Sequence, residues 1–283
     1  MTRLRDVAEA LKLEHTVFAL PFAYLGVWAA AGGAPAWATV GWVTLAMVGG
    51  RSAGMAANRL IDLPIDQLNP RTKNWPVPAG RVKPAWLAAI VILGAALLFL
   101  SASRLNPLCL KLAPVALALM FFYPVTKRFT WSCHFWLGLV LGVAPAAGWL
   151  AVTGHWEAPI LPLLLGVLFW TAGFDIFYAL LDLEFDRTHR VHSIPQRFGA
   201  ERALAISSGC HIAALLAFTR FGFLFRGGAA FWTGLAVMAA LLVYEHALVR
   251  PNRLDRINKA FFTINGWISV SFFLFAWLDL RIK

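Results

Sequence analysis

Apolar stretches of about 20 residues recur along the whole of this 283-residue chain, and that is the length an α-helix needs to cross the hydrocarbon core of a bilayer. Nine such stretches fall at roughly 15–33, 37–58, 84–101, 107–123, 134–152, 159–181, 203–222, 229–249 and 261–280. In lipid every backbone N–H and C=O must be satisfied within its own segment, so stretches of this kind become helices. Charged residues make up 14% of the chain, against about 25% in soluble domains, and 60% are hydrophobic. The sequence therefore predicts an all-α polytopic membrane protein of about nine transmembrane helices. With no linker or change of composition, residues 1–283 read as a single membrane-embedded domain.

The net charge is +11, which in a soluble domain would suggest nucleic-acid binding. Here the basic residues sort by side instead. With the N-terminus cytoplasmic, eighteen Lys and Arg fall inside: Arg3, Arg5, Lys12; Arg59, Arg71, Lys73, Arg81, Lys83; Lys127, Arg128; Arg187, Arg190, Arg197, Arg202; and Arg250, Arg253, Arg256, Lys259. Only Arg104, Arg220, Arg226, Arg281 and Lys283 fall outside, and Arg51 and Lys111 lie within spans. The positive-inside rule fixes the N-terminus on the cytoplasmic side, with lipid rather than nucleic acid as the surroundings and no obligate protein partner in view. Leu4, Val7 and Leu11 at helical spacing suggest a short surface helix ahead of the first span. Asp6, Glu9 and Glu14 are wrong for the basic start of a cleaved signal peptide. Cys109, Cys133 and Cys210 are odd in number and lack CxxC spacing, so they read as small core residues.

Two cytoplasmic loops are long and polar, 59–83 and 182–202, and function concentrates on such loops. Each begins near an acidic motif: Asp62-x3-Asp66 closes the second span and Asp182-x3-Asp186 closes the sixth. The echo suggests two similar four-helix halves with the ninth span added. At 100° per residue Arg51, Asn58 and Asp62 share one helix face, and Pro64 should loosen the helix and let Asp66 turn toward the same cavity. Asp175, Asp182 and Asp186 likewise share a face. Carboxylates at membrane depth are costly and face a cavity or a partner. Hard oxygen ligands four residues apart suit Mg²⁺, whose remaining positions are filled by water and phosphate oxygens, so two such clusters beside basic loops suggest a metal-bridged diphosphate. The alternative is that the acids merely pair with loop arginines such as Arg59 and Arg187. Tyr123-Pro-Val-Thr-Lys127-Arg128, at the end of the fourth span, reads as diphosphate contacts, with Lys127 a point charge and Tyr123 a phenolic donor. The seven histidines show no close ligand spacing.

In order and spacing, Asn58-x3-Asp62-x3-Asp66, Tyr123-x3-Lys127 and Asp175-x2-Tyr178-Ala-x2-Asp182-x3-Asp186 resemble the motifs of the UbiA-type intramembrane prenyltransferases. The resemblance implies an all-helical fold with its active site under a cytoplasmic cap. It also implies Mg²⁺-assisted ionisation of a polyprenyl diphosphate and alkylation of an aromatic acid in quinone biosynthesis. Asn58, Asp62 and Asp66 would hold one Mg²⁺ and Asp182 and Asp186 a second, with Mn²⁺ able to substitute. On this resemblance Asp175, Tyr178 and Arg51 are, by direction and depth, the candidates for the acceptor side, with Asp175 a candidate general base and Arg51 a partner for an acceptor carboxylate. Lys12-Leu-Glu-His-Thr-Val-Phe-Ala-Leu-Pro-Phe-Ala23 and Leu183-Glu-Phe-Asp-Arg187 are similar to a 4-hydroxybenzoate polyprenyltransferase-like branch, part of it tied to menaquinone, where the acceptor is 1,4-dihydroxy-6-naphthoate. Family members using haem, a chlorophyll precursor or glycerol phosphate are the alternative, as is an ion or solute transporter, whose acids should lie at the midplane. Trp75 stands where many relatives have Arg, so Arg71 or Lys73 would supply that phosphate contact. His192-Ser193 stands where other branches have Lys-Ser.

The basic-residue count yields a topology test. Cysteines introduced at Lys73, Arg190 and Arg253 should react with an impermeant thiol reagent from the cytoplasmic side, and at Glu157 and Lys283 from the other. Labelling of position 283 from the cytoplasm would require a different number of crossings.

Overall fold

The computed structural model describes residues 4–12, 16–249 and 256–282, and every regular element among them is helical. Arg3, Glu14, His15, Arg250, Arg253 and Lys283, which entered the sequence argument, lie outside the described residues, as does the side chain of Lys259. The elements are α1 (Leu4–Ala10), α2 (Thr16–Ala31), α3 (Trp37–Asp66), α4 (Pro84–Leu105), α5 (Pro107–Thr126), α6 (Cys133–Thr153) and α7 (Ile160–Tyr178). A 3₁₀ turn over Ala179–Asp182 leads into α8 (Leu183–His189), followed by α9 (Ile194–Phe198), α10 (Ala200–Phe225) and α11 (Ala229–Leu248). A π-helical turn, Lys259–Ile264, precedes α12 (Asn265–Ile282).

Seven helical stretches among the described residues are long and apolar enough to cross a membrane, and they coincide with the third to ninth expected crossings. The first two differ in kind. Helix α2 has 16 residues, short of a full crossing, and α3 has 30 but carries Arg51, Arg59, Asp62 and Asp66. Length and hydropathy alone thus support seven crossings, not nine. The outer faces carry large apolar side chains open to the surroundings, such as Ile92 and Leu93 at 68% exposure and Val243 at 72%, as expected of surface that meets lipid. The chain is a multi-pass membrane protein.

Local sequence sets the helix boundaries. Pro84 and Pro107 open α4 and α5, at positions where a missing N–H costs nothing. Asn106 caps α5 by accepting from the Cys109 N–H at 2.9 Å, and its amide donates to Leu150 O at 2.8 Å, tying α5 to the end of α6. Gly154, with φ +69°, ends α6 in the left-handed region. Pro64 does not break α3: the helix runs through it to Asp66. Proline removes the donor that would reach Leu60 O, but Arg128 donates to the neighbouring Ile61 O and Lys127 and Arg128 hold Asp62 from outside. The first polar loop therefore begins at Gln67, eight residues later than the sequence suggests. The second, 182–202, is mostly the two short helices α8 and α9.

Helix α2 packs against α6 and α12, α6 against α7, and α7 against α10, while α3, α4 and α5 associate with one another and α5 rests on α6. The two halves suggested by the sequence interlock through α2. Phe22, Trp170, Phe218 and Phe272 fill the larger core at under 2% exposure. Close crossings need small residues. A Cβ at Gly26 on α2 would overlap Pro145 O of α6, and one at Gly148 on α6 would overlap Ala23 O of α2. Helix α1 packs through Ala10 and Leu11 against Val77, Val82 and Leu87, and Arg81 pairs with Asp6 at 3.2 Å.

Accordingly, Gly26→Val should destabilise the purified protein by about 1–3 kcal/mol, the usual cost of overpacking, seen as a lower thermal midpoint in detergent. Gly41→Ala, where a Cβ meets nothing within 4 Å, should leave the midpoint unchanged. Equal effects would show that the α2–α6 crossing is not close-packed.

Candidate active site

Helices α3, α5 and α7 end, and α6 begins, at the same end of the bundle, and a cavity of about 240 Å³ opens among them. One wall is the last two turns of α3. Asn58, Asp62 and Asp66, spaced four apart, are 8%, 4% and 7% exposed and line the cavity, and Asn58 Nδ2 donates to Asp62 Oδ2 at 3.2 Å. Lys127, the C-cap of α5, donates its Nζ to Asp62 Oδ2 at 2.6 Å. Tyr123, one turn earlier on α5, also lines the cavity.

The opposite wall is the end of α7. The 3₁₀ turn over Ala179–Asp182 tightens the helix at this point, yet Asp175, Tyr178, Asp182 and Asp186 all reach the cavity. Asp182 is held by a fork: Arg71 donates Nε to Oδ1 at 2.8 Å and Nη2 to Oδ2, and Asn69 Nδ2 donates to Oδ1 at 2.8 Å. Arg71 also donates Nη1 to the Tyr178 hydroxyl at 3.3 Å. Burial alone would lower the pKa of Arg71, and the hydrogen bonds it donates to Asp182 outweigh it, so Arg71 sits above the ordinary arginine value. Ser193 Oγ donates to Asp186 Oδ2 at 2.9 Å. Asp175 Oδ2 lies 2.7 Å from His134 Nδ1 at the start of α6.

Trp75 organises the cations of the loop. Arg59, Arg71 and Lys12 stand 4.6, 5.3 and 4.9 Å from its ring centroid, near enough for cation–π attraction. The tryptophan at this position thus gathers three positive charges at the cavity edge.

Three of the expected site residues stand elsewhere. Arg51 does not line the cavity; its Nη2 donates to Lys12 O at 2.9 Å, fastening the end of the N-terminal segment to α3. Helical phase placed Arg51 on the right face of α3 but could not show that a backbone carbonyl would be packed against it. Lys73 is exposed and outside the lining. Arg128 lies behind the wall, with Nη1 3.6 Å from Asp62 Oδ1 and 3.2 Å from Pro124 O. The alternative pairing of acids with loop arginines is realised for Asp66 with Arg59, at 3.4 Å, and for Asp182, with Arg71 instead of Arg187; Arg187 pairs with Glu184 at 3.3 Å. Asn69 and His134 are site residues that the sequence did not single out, and Ser193 entered only as half of the His192-Ser193 pair. His134 lies 41 positions from Asp175, and no spacing rule reaches across two helices.

The donor set bears on metal binding. Among the described residues no three of His, Cys, Asp and Glu cluster closely enough to hold an ion. The acids are arranged instead as two pairs on facing walls, which suits Mg²⁺, a cation that takes one or two carboxylates and completes its shell with water and phosphate. Asp62 lines the cavity wall, and its buried Oδ1 has no hydrogen-bond donor among the described residues, only Arg128 Nη1 at 3.6 Å. A hard cation is the kind of partner such an oxygen lacks, and the residues fit one.

The chain is 32% identical over 249 residues to the 4-hydroxybenzoate octaprenyltransferase of Paraburkholderia phytofirmans, covering 88% of this chain and 86% of that protein. It is 31% identical over 284 residues to the 4-hydroxybenzoate octaprenyltransferase of Marinobacter nauticus, covering 98% and 95%. The apo structure of a UbiA homolog from Aeropyrum pernix K1 is similar with a TM-score of 0.86 at 34% identity, covering 94% of this chain and 98% of that one. A UbiA homolog from Archaeoglobus fulgidus, solved bound to DMAPP and Mg²⁺, shares the fold with a TM-score of 0.73 at 19% identity over 98% of this chain and 100% of its own. The model of the UbiA prenyltransferase family matches residues 19–274. The paired acidic walls, the helical bundle and these matches agree: the chain belongs to the UbiA prenyltransferase family and is an enzyme that transfers prenyl groups.

Proposed function

We propose that the protein transfers a polyprenyl chain from its diphosphate to an aromatic acid, with Mg²⁺, at the cytoplasmic face of a bacterial inner membrane. The observation that carries this reading is the convergence of both acidic pairs, Lys127, Arg71, Asp175 and Tyr178 on one cavity at the membrane edge. The names of the relatives point to 4-hydroxybenzoate as acceptor. A transporter fits less well, because these acids sit at helix ends and not at the midplane.

Asn58, Asp62 and Asp66 on one wall, and Asp182 and Asp186 on the other, would hold two ions. Bound there, Mg²⁺ would neutralise diphosphate charge and stabilise the leaving group as its C–O bond breaks. Lys127 and Arg71 each now hold one of these acids, and they are also the cations best placed to receive phosphate oxygens. Tyr123 adds a phenolic donor from α5. As the allylic C–O bond breaks, its electron pair leaves with the diphosphate, and the ring carbon of the acceptor forms the new C–C bond. The ring proton then has to go to a base. Asp175, on the wall opposite Asp62, is the carboxylate not already assigned to metal, and Tyr178 flanks it one turn later on α7. Pro124 and Leu137 give the cavity an apolar side toward which a prenyl tail can run, and a closed, water-poor site protects the cation from hydrolysis.

Asp62→Asn and Asp182→Asn should each lower kcat at least about a hundredfold, since removing one transition-state contact commonly costs about 10²–10³, while the protein still folds with a thermal midpoint lowered by the loss of its ion pair with Lys127 or Arg71. The double variant should be little worse than either single one, because the two walls act as a unit. Excess EDTA should abolish turnover, and Mg²⁺ should restore it. Full activity of both single variants, or turnover unaffected by EDTA, would overturn the metal–diphosphate reading.

A further inference from the structure

The mechanism above leaves unused the buried histidine at the entrance to α6. His134 is 2% exposed, and both of its ring nitrogens are engaged. The backbone N–H of Ile194 points at Nε2, 3.2 Å away, so Nε2 accepts and carries a lone pair. The proton of the neutral ring is then on Nδ1, 2.7 Å from Asp175 Oδ2. A backbone amide can only donate, which fixes the tautomer without reference to solvent. Asp175 keeps 24% of its side chain open and lines the cavity, so the imidazole grips one oxygen from behind while the carboxylate still faces the substrate.

The same short segment also fixes a second acid of the α7 wall. Ser193, immediately before Ile194, donates Oγ to Asp186 at 2.9 Å and accepts from the Gln196 N–H at 3.2 Å. Two consecutive residues thus set two acids of the α7 wall, Asp186 directly and Asp175 through His134.

We propose that His134 is a positioning residue: its Nδ1–H holds the Asp175 carboxylate in the orientation that takes the ring proton of the acceptor. The proposal rests on the aromatic-acceptor reading given above. In the step concerned, the ring C–H bond breaks, its electron pair restores aromaticity, and the proton passes to the free oxygen of Asp175. Proton loss is normally fast in aromatic substitution, so no primary isotope effect is expected of the wild type. A misplaced base slows that loss until it limits the rate.

The test uses geranyl diphosphate, Mg²⁺ and 4-hydroxybenzoate deuterated at the ring carbons beside the phenol. His134→Phe fills the space without a donor and should lower kcat roughly tenfold to a hundredfold, below the loss of about 10²–10⁴ expected on removing a general base itself, with a primary isotope effect now measurable. The KM for geranyl diphosphate should stay within about twofold, because that substrate loses no contact. His134→Asn places an amide N–H near the position of Nδ1 and should restore most of kcat, whereas His134→Gln, whose amide reaches the position of Nε2, should not. Wild-type kcat in His134→Phe, or equal activity of the Asn and Gln variants, would overturn the proposal and decides the matter even if the Phe variant fails to fold. Independently of turnover, ¹⁵N spectra of labelled histidine in the substrate-free protein should show His134 protonated on Nδ1 alone; protonation on Nε2 would also overturn it. If the wild type makes no ring-prenylated product, the aromatic-acceptor reading falls and the proposal with it, while the tautomer result still stands on its own.

Discussion

Four carboxylates at the edge of a bilayer cannot stay charged without partners, and the rest of this site follows from how they are compensated. Lys127 reaches Asp62 from α5, and Arg71 reaches Asp182 from the loop after α3. Each pair joins elements distant in sequence, so electrostatic compensation also draws α3, α5 and α7 around one cavity. An exposed ion pair stabilises a protein by about 0–1 kcal/mol, while stranding one partner of a fully buried pair costs about 3–5 kcal/mol. The Lys127–Asp62 pair lies between these limits, with side chains 26% and 5% exposed. Cations placed to hold the acids are also placed to meet a diphosphate, and one arrangement serves folding and chemistry.

The extra layer around these pairs is aromatic and local. Trp75 collects Arg59, Arg71 and Lys12 on its ring, and Tyr178 stacks on Phe261 at 4.1 Å between centroids. Arg71 is therefore fixed by a fork to Asp182, a hydroxyl at Tyr178 and the face of Trp75. A long flexible side chain held on three sides loses its entropy during folding and not when substrate binds. Helix α1 extends this order outward, since Arg81 bridges the same loop to Asp6 and to Glu9 at 3.7 Å.

Much of this was legible in the residues themselves. The apolar stretches marked the helices because lipid leaves the backbone no other solution, and the spacing of Asn58, Asp62 and Asp66 marked one wall because helical phase is local. What escaped was tertiary. By sequence Pro64 should loosen the helix and free Asp66 to turn, but neighbours from α5 hold α3 together past it. Arg51 had the right face and the wrong partner. Lys73 lay in the right loop but points outward, while Arg71, two residues away, turns in. His134 carried no signal at all, because its meaning depends on Asp175 and Ile194, both far along the chain. The number of crossings was blurred by α2 and α3, one short and the other charged for the sake of the site.

The central claim is that this cavity joins a prenyl carbon to an aromatic ring. It is tested most directly by incubating the purified protein with octaprenyl diphosphate, Mg²⁺ and, separately, 4-hydroxybenzoate, 1,4-dihydroxy-6-naphthoate and glycerol phosphate, then identifying products by mass spectrometry. The account predicts a product with a new carbon–carbon bond to an aromatic acid, formed only when the metal is present. Transfer to glycerol phosphate alone, or release of free prenyl alcohol with every aromatic acid left unchanged, would contradict it.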